Sequence, residues 1–382
     1  MNTGRGTPAR PATSRARAES DPVPTPAPVA ADPNAWTTRR LLAWLQDALK
    51  SKGIESPRLC TEILLGHVLG APRIKLYTEP ERIWTDPQRD TLRALASRAL
   101  RHEPVQYLVG EAWFFGMALN ADRRALIPRP CTEMIVEEAI QFARRLHAQS
   151  TAPAHADGTD NRVADPGAGA VTRGEDLPDE DAQQRALHRA ERAALDSAKR
   201  RRQTLGQNLL IADLCTGSGC IAIAIAKHLP GARLVATDIS PDALALAAEN
   251  AARAAVSDRL DFTLGDLLAP LLGQGHGPFD ILCANPPYIP DHEWEAVPAN
   301  VRNFEPTLAL RAGPTGLELV TPIIDQAIRF LKPGGLLLIE IAACTGALVL
   351  EHARSTGQFA RVEVKNDLEG KPRMLRAVLR EI

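Results

Sequence analysis

Cysteine is sparse and scattered in this 382-residue sequence. Cys60, Cys131, Cys215, Cys220, Cys283 and Cys344 form no CxxC pair and have no histidine cluster beside them. That pattern excludes a disulfide frame and a cysteine zinc site, and no metal is expected. No apolar run approaches the roughly 20 residues that span a bilayer. The amino terminus lacks the apolar stretch of a secretory signal, so the expected setting is cytoplasmic. A formal net charge of -1 supplies no global attraction to a polyanion, which argues against non-specific nucleic-acid binding.

What is present falls into five blocks. Residues 1–35 are rich in Pro, Ala, Arg, Ser and Thr, a look shared with organelle transit peptides. The proline density and the missing large apolar residues predict a disordered tail. Residues 36–102 predict a small helical domain. Apolar residues recur at helical spacing over 36–49, 58–69 and 88–100, with Thr37 or Thr38 as a cap and Gly53 and Gly70 as stops. Residues 103–147 predict a bridge, with strands near 112–119 and 124–127 and a helix over 133–146 capped by Thr132. Residues 148–207 are rich in Gly, Ala, Asp and Pro, then charged and Ala-rich. They predict a flexible insertion, which loop-closure entropy tolerates because it grows slowly with length.

The final block, 208–382, alternates apolar strands and helices. Strands are predicted at 209–214, 233–237, 260–264, 279–284 and 335–341, with helices at 221–228, 241–256, 319–330 and 345–355 between them. Two last strands, 361–365 and 374–379, meet across a turn. Such alternation predicts a parallel, doubly wound, Rossmann-like sheet of seven strands whose ligand lies beyond the carboxyl ends.

The first of these strands runs into Asp213-Leu-Cys-Thr-Gly-Ser-Gly-Cys-Ile-Ala222. Gly217 and Gly219 permit a tight turn close to a ligand. Asp238 follows about 20 residues later and suits two ribose hydroxyls. Asp266 suits an adenine amino group, with Leu267 packing the ring. This element alone fits NAD and S-adenosylmethionine equally.

Asp280-Ile-Leu-Cys-Ala-Asn-Pro-Pro-Tyr288 narrows the choice. Two consecutive prolines remove two N–H donors and leave carbonyl acceptors. With the Asn285 side chain they suit an NH2 group, one hydrogen to Asn285 and one to the Pro286 carbonyl. An amide nitrogen is a poor nucleophile because its lone pair is delocalised. Two acceptors fix its hydrogens, aim the lone pair and strengthen as positive charge develops. Tyr288 offers a face for that charge.

These residues resemble the HemK/PrmC family of protein-(glutamine-N5) methyltransferases. The shared stretches are Ser56-Pro-Arg58, Glu62-Ile-Leu-Leu65, Glu103-Pro-Val-Gln-Tyr107, Ile127-Pro-Arg-Pro130, Asn285-Pro-Pro-Tyr288, Phe304-Glu-Pro-Thr307 and Asp367-Leu-Glu-Gly370. The resemblance implies a class I methyltransferase fold with an N-terminal helical domain that grips a peptide chain release factor, and S-adenosylmethionine as cofactor. By position it implies cofactor contacts at Cys215, Thr216, Gly217, Ser218, Gly219, Asp238, Asp266, Leu267 and Asn285. Asn285, Pro286, Pro287 and Tyr288 hold the glutamine amide, with Asn285, Pro286 and Tyr288 catalytic and Phe115 and Arg129 lining the pocket. A monomer without nucleic acid is expected. Cys215, Cys131 and Ala342 depart from the usual Gly, Glu and Gly. The alternatives are a ribosomal-protein glutamine methyltransferase, an amino-methyltransferase of adenine or cytosine in nucleic acid, an NAD-dependent oxidoreductase, and a non-enzymatic binding scaffold.

Overall fold

The computed structural model describes residues 35–151, 192, 204–272 and 277–381. Residues 1–34 of the expected tail and most of the expected insertion lie outside the described residues.

Three main helices, α1 (Thr38–Ser51), α2 (Pro57–Leu69) and α3 (Asp86–Ala99), build the amino-terminal unit. Thr37 caps α1, its hydroxyl accepting from the Arg40 amide at 3.3 Å. Thr38 instead turns inward and accepts from the buried Trp84 indole at 3.1 Å. Leu45, Leu49, Leu64, Leu65, Leu76 and Leu92 form the core of the unit. Each such leucine contributes about 1.5–3 kcal/mol on burial. Short helices at Lys75–Thr78 and Val105–Val109 were too brief for periodicity to reveal.

The bridge differs from expectation. The predicted strand over 112–119 is a hairpin, β1 (Glu111–Phe114) pairing with β2 (Met117–Asn120). Phe115 and Gly116 both have positive φ, 48° and 74°, which is the two-residue turn that suits a tight hairpin. The predicted strand at 124–127 is irregular backbone. A longer helix, α4 (Glu133–Thr151), follows.

The sheet has the expected seven strands: β3 (Leu210–Leu214), β4 (Arg233–Asp238), β5 (Leu260–Leu264), β6 (Phe279–Ala284), β7 (Leu331–Glu340), β8 (Phe359–Asn366) and β9 (Pro372–Leu379). Their order is β8-β9-β7-β6-β3-β4-β5. The first five of these strands in sequence run parallel, and β9 is antiparallel to both β7 and β8. Alternate residues feed two cores. Ile211, Ile281 and Leu336 face α4 and α5 (Cys220–His228), whereas Ala212, Leu282 and Leu337 face α7 (Val320–Ala327) and α8 (Gly346–Ser355). Helix α6 (Pro241–Arg253) starts at Ser240, whose hydroxyl accepts from the Ala243 amide at 3.2 Å. The chain passes from β3 outward to β5, then returns to β6 on the other side of β3. The crevice beyond β3 and β6 is therefore the switch point where such sheets bind ligands.

Candidate active site

Register places the functional residues. Leu214 is level with Thr237 and with Ala284, and Ala284 is level with Ile339. The next residue on each strand, Cys215, Asp238, Asn285 and Glu340, therefore stands in one row at the carboxyl edge. A cavity opens above this row. Gly217, Asp238, Asp266, Leu267, Asn285, Pro287 and Thr132 are among its walls.

The two loop glycines do different jobs. Gly217 has φ +55°, and a methyl added there would meet only Ala125, at 3.9 Å. Its backbone is free to border the cavity. Gly219 has φ +79°, and an added methyl would meet Ile223 at 2.9 Å and Ala247 at 3.0 Å. It lets α5 and α6 approach closely. Cys215 and Leu267 also have positive φ, 54° and 46°, without the freedom of glycine. Such backbone costs on the order of 1–3 kcal/mol and is characteristic of functional sites.

Asp213 lies beneath the loop, fully buried. Its Oδ2 accepts from the Thr216 hydroxyl at 2.6 Å and the Ala222 amide at 3.2 Å, while its Oδ1 has no partner. Burial pushes this carboxyl up to about 7. Asp238 accepts from the Gly217 amide at 2.8 Å and the Ser240 amide at 2.9 Å, one on each oxygen. Burial raises it too, partly offset by those amides. A second lone pair on each oxygen remains for a diol.

Four of the loop's amides are engaged within the protein: those of Thr216, Gly217, Gly219 and Ala222 donate to Thr237, Asp238, Thr216 and Asp213. Ser218, Cys220 and Ile221, at the start of α5, border the cavity. Among the described residues, no ion pair neutralises Asp238 or Asp266, while Arg124 on the cavity wall is held by Asp122 and Glu249. The balance suits a neutral or cationic nucleoside, which fits S-adenosylmethionine and its sulfonium.

At the other side of the row, the Asn285 amide nitrogen donates to the Thr132 hydroxyl at 3.3 Å. Thr132 donates in turn to Glu340 at 2.6 Å. Tyr288 donates to the other oxygen of Glu340 at 3.0 Å, and burial raises its hydroxyl well above the usual range. Glu340 is buried, which raises its carboxyl as well. Burial and the nearby Glu340 charge push the Cys131 thiol up to about 11. Thr132 does not serve as the expected helix cap, because it lies within a 3-10 turn, Pro130–Thr132, that runs directly into α4, and its hydroxyl accepts from the Asn285 side chain.

Of the expected site residues, Cys215, Thr216, Gly217, Ser218, Asp238, Asp266, Leu267, Asn285 and Pro287 border the cavity. Gly219, Pro286, Tyr288, Phe115 and Arg129 are not among its lining. The Phe115 ring packs edge-on against His228 at 4.9 Å, and its amide donates to Glu133 at 2.7 Å. The tight turn at Phe115 and Gly116 directs it to the α4–α5 core. Arg129 pairs with Glu305 at 2.6 Å, supporting the wall formed by Pro128 and Pro306. Sequence reasoning assigned no role to Asn250. It is fully buried, and its amide donates to the carbonyls of Asn120 at 3.2 Å and Ser218 at 3.0 Å. It thereby ties the hairpin to the glycine loop. A lone Asn on the apolar face of a helix was the available signal.

Comparison with known proteins bears on both parts of the chain. The family model described as the PrmC N-terminal domain matches residues 40–110, and one described as a methyltransferase domain matches residues 211–304. Three relatives carry the name release factor glutamine methyltransferase. That of Chlorobaculum tepidum is 37% identical over 87% of this chain and 94% of its own length. That of Rhodopirellula baltica is 33% identical over 89% and 95%. That of Geobacter sulfurreducens is 33% identical over 85% and 91%.

Proposed function

The chain belongs to the release factor glutamine methyltransferase family, and on that premise we propose that it methylates the side-chain amide nitrogen of a glutamine in peptide chain release factors, using S-adenosylmethionine. The observation that carries the reading is the Asn285 amide. Its nitrogen is occupied by Thr132, which leaves Oδ1 as the acceptor offered to the cavity.

Bound S-adenosylmethionine supplies an electrophilic methyl. Asp238 would take the ribose hydroxyls, and Asp266 and Leu267 would hold the adenine. Asn285 Oδ1 and the Pro286 carbonyl would accept the two hydrogens of the incoming carboxamide and fix its nitrogen for attack. Those hydrogen bonds strengthen as the nitrogen becomes positive, so they stabilise the transition state more than the bound substrate. No base would be required before attack: as the N–C bond forms, the C–S bond breaks and its electron pair leaves with the neutral thioether, and the extra proton on nitrogen then passes to solvent.

The helical unit over 36–102 serves to hold the release factor. Exposed Leu59, Ile74, Tyr77 and Ile83 give it an apolar outer surface, beside Arg58 and Arg73. No helix among the described residues is long and apolar enough to cross a membrane. A cytoplasmic, monomeric enzyme is part of the same proposal.

The test is incubation with labelled S-adenosylmethionine and purified release factors, followed by peptide mapping. Label on the glutamine of a Gly-Gly-Gln element supports the reading. Label absent from release factors but present on a ribosomal protein or on nucleic-acid adenine transfers the activity to that substrate.

A further inference from the structure

We propose that Thr132 and Glu340 are positioning residues that fix which end of the Asn285 amide faces the acceptor nitrogen. The inference rests on the amide-clamp reading above and goes one layer behind it.

An asparagine side chain is ambiguous. Rotated by half a turn about its last bond, it presents two donors where it had presented an acceptor. A donor aimed at the substrate NH2 would repel it. Something must therefore set the orientation, and Asn285 cannot do so itself.

The hydrogen-bond chain behind it sets a direction. Glu340 sits at the end of β7, level with Asn285 at the end of β6. It is 1% exposed. As a carboxylate it only accepts. Thr132 has one hydroxyl proton and gives it to Glu340 Oε2 at 2.6 Å. The hydroxyl then has only lone pairs to offer Asn285, so the amide must turn its NH2 toward Thr132, as observed at 3.3 Å. Oδ1 is left for the substrate. Tyr288, from the same loop as Asn285, donates to Glu340 Oε1 at 3.0 Å. The carboxylate thus holds both ends of the Asn285–Tyr288 segment. Arg373 adds a favourable charge nearby.

Glu340→Gln tests the direction without removing the contact. A carboxamide at 340 can donate to Thr132, which frees the Thr132 proton to point at Asn285 and allows the amide to turn over. Thr132→Val removes the link, and Thr132→Ser keeps it. The readouts are kcat on the release factor, the dissociation constant of S-adenosylmethionine, and the melting temperature. We expect kcat to fall about 10- to 100-fold in Glu340→Gln and Thr132→Val, the equivalent of one or two hydrogen bonds at the transition state. Cofactor affinity should change less than about threefold, and Thr132→Ser should recover most of the loss. A neutron diffraction structure of Glu340→Gln, which locates the amide deuterons directly, provides a readout independent of turnover, and it should show Asn285 reversed or in two orientations.

Wild-type kcat in Glu340→Gln overturns the inference, as does a loss in Thr132→Ser equal to that in Thr132→Val. If Glu340→Gln fails to fold, the Thr132 pair decides. If the wild-type enzyme does not methylate release factors, the substrate reading falls. The orientation of the Asn285 amide in neutron structures of wild type and Glu340→Gln then decides the positioning claim.

Discussion

Arg129 closes on Glu305 across 176 residues of sequence, at 2.6 Å, while the Ile127 amide donates to the other Glu305 oxygen at 3.0 Å. The Glu305 side chain is fully buried. Two stretches that look unrelated in sequence, Ile127-Pro-Arg-Pro130 and Phe304-Glu-Pro-Thr307, are thus one structural unit. Pro128 and Pro306, their middle residues, both border the cavity.

Removing the carboxylate should therefore damage stability and wall geometry together. Glu305→Ala leaves a partly buried guanidinium and a buried amide without their partner. We expect a loss of about 2–4 kcal/mol, read from urea denaturation, with a raised KM. A loss below about 0.5 kcal/mol would show that the pair is not structural.

Asn285→Ala should abolish at least about 99% of turnover, by analogy with the loss of one preorganised transition-state hydrogen bond. Cofactor affinity, measured by calorimetry, should stay within about tenfold. Full activity in this variant would remove the amide clamp.

For Asp238 the pattern reverses. Charge-assisted hydrogen bonds to a diol are each worth about 1.5–3 kcal/mol. Asp238→Ala should weaken S-adenosylmethionine binding by at least about tenfold. Unchanged affinity would assign Asp238 to holding Gly217 and Ser240 alone.

Asp213 gives a pH signature. Its folded value, about 7, lies above the ordinary carboxylate value, so the folded state binds the proton more tightly. Its contribution to stability is fully present below about pH 4 and is lost as pH rises toward 7. Asp213→Asn keeps an acceptor for Thr216 and Ala222 and removes the titration. Relative to wild type, the variant should gain stability between about pH 4 and 7, by up to about 1.4 kcal/mol per pH unit. Parallel stability curves for the two proteins would refute this.

Periodicity made the sheet legible. Strands β3, β5 and β6 fall within one residue of the expected bounds, because a strand buried on both faces reads as a short apolar run between turn residues. The 112–119 segment misled because Phe115 is apolar and continued the run; only Gly116 marked the reversal. The glycine loop and Asn285 were visible as motifs. Glu340 and Thr132 could not be given their roles, since their meeting depends on lateral register between strands and on the start of a helix some 200 residues earlier. Phe115 and Arg129 were placed by motif position alone; the edge-on contact of Phe115 with His228 and the ion pair of Arg129 with Glu305 depend on tertiary contacts that sequence spacing does not carry.

Helix α4 begins at the cavity, next to Thr132, and runs 19 residues away from it. At 1.5 Å per residue it ends about 28 Å off. Strand β3 resumes at Leu210, the end opposite the glycine loop. Thr151 and Leu210 therefore both stand at the pole remote from the chemistry, and a chain shortened by excising residues 156–202 should still transfer the methyl group to release factors.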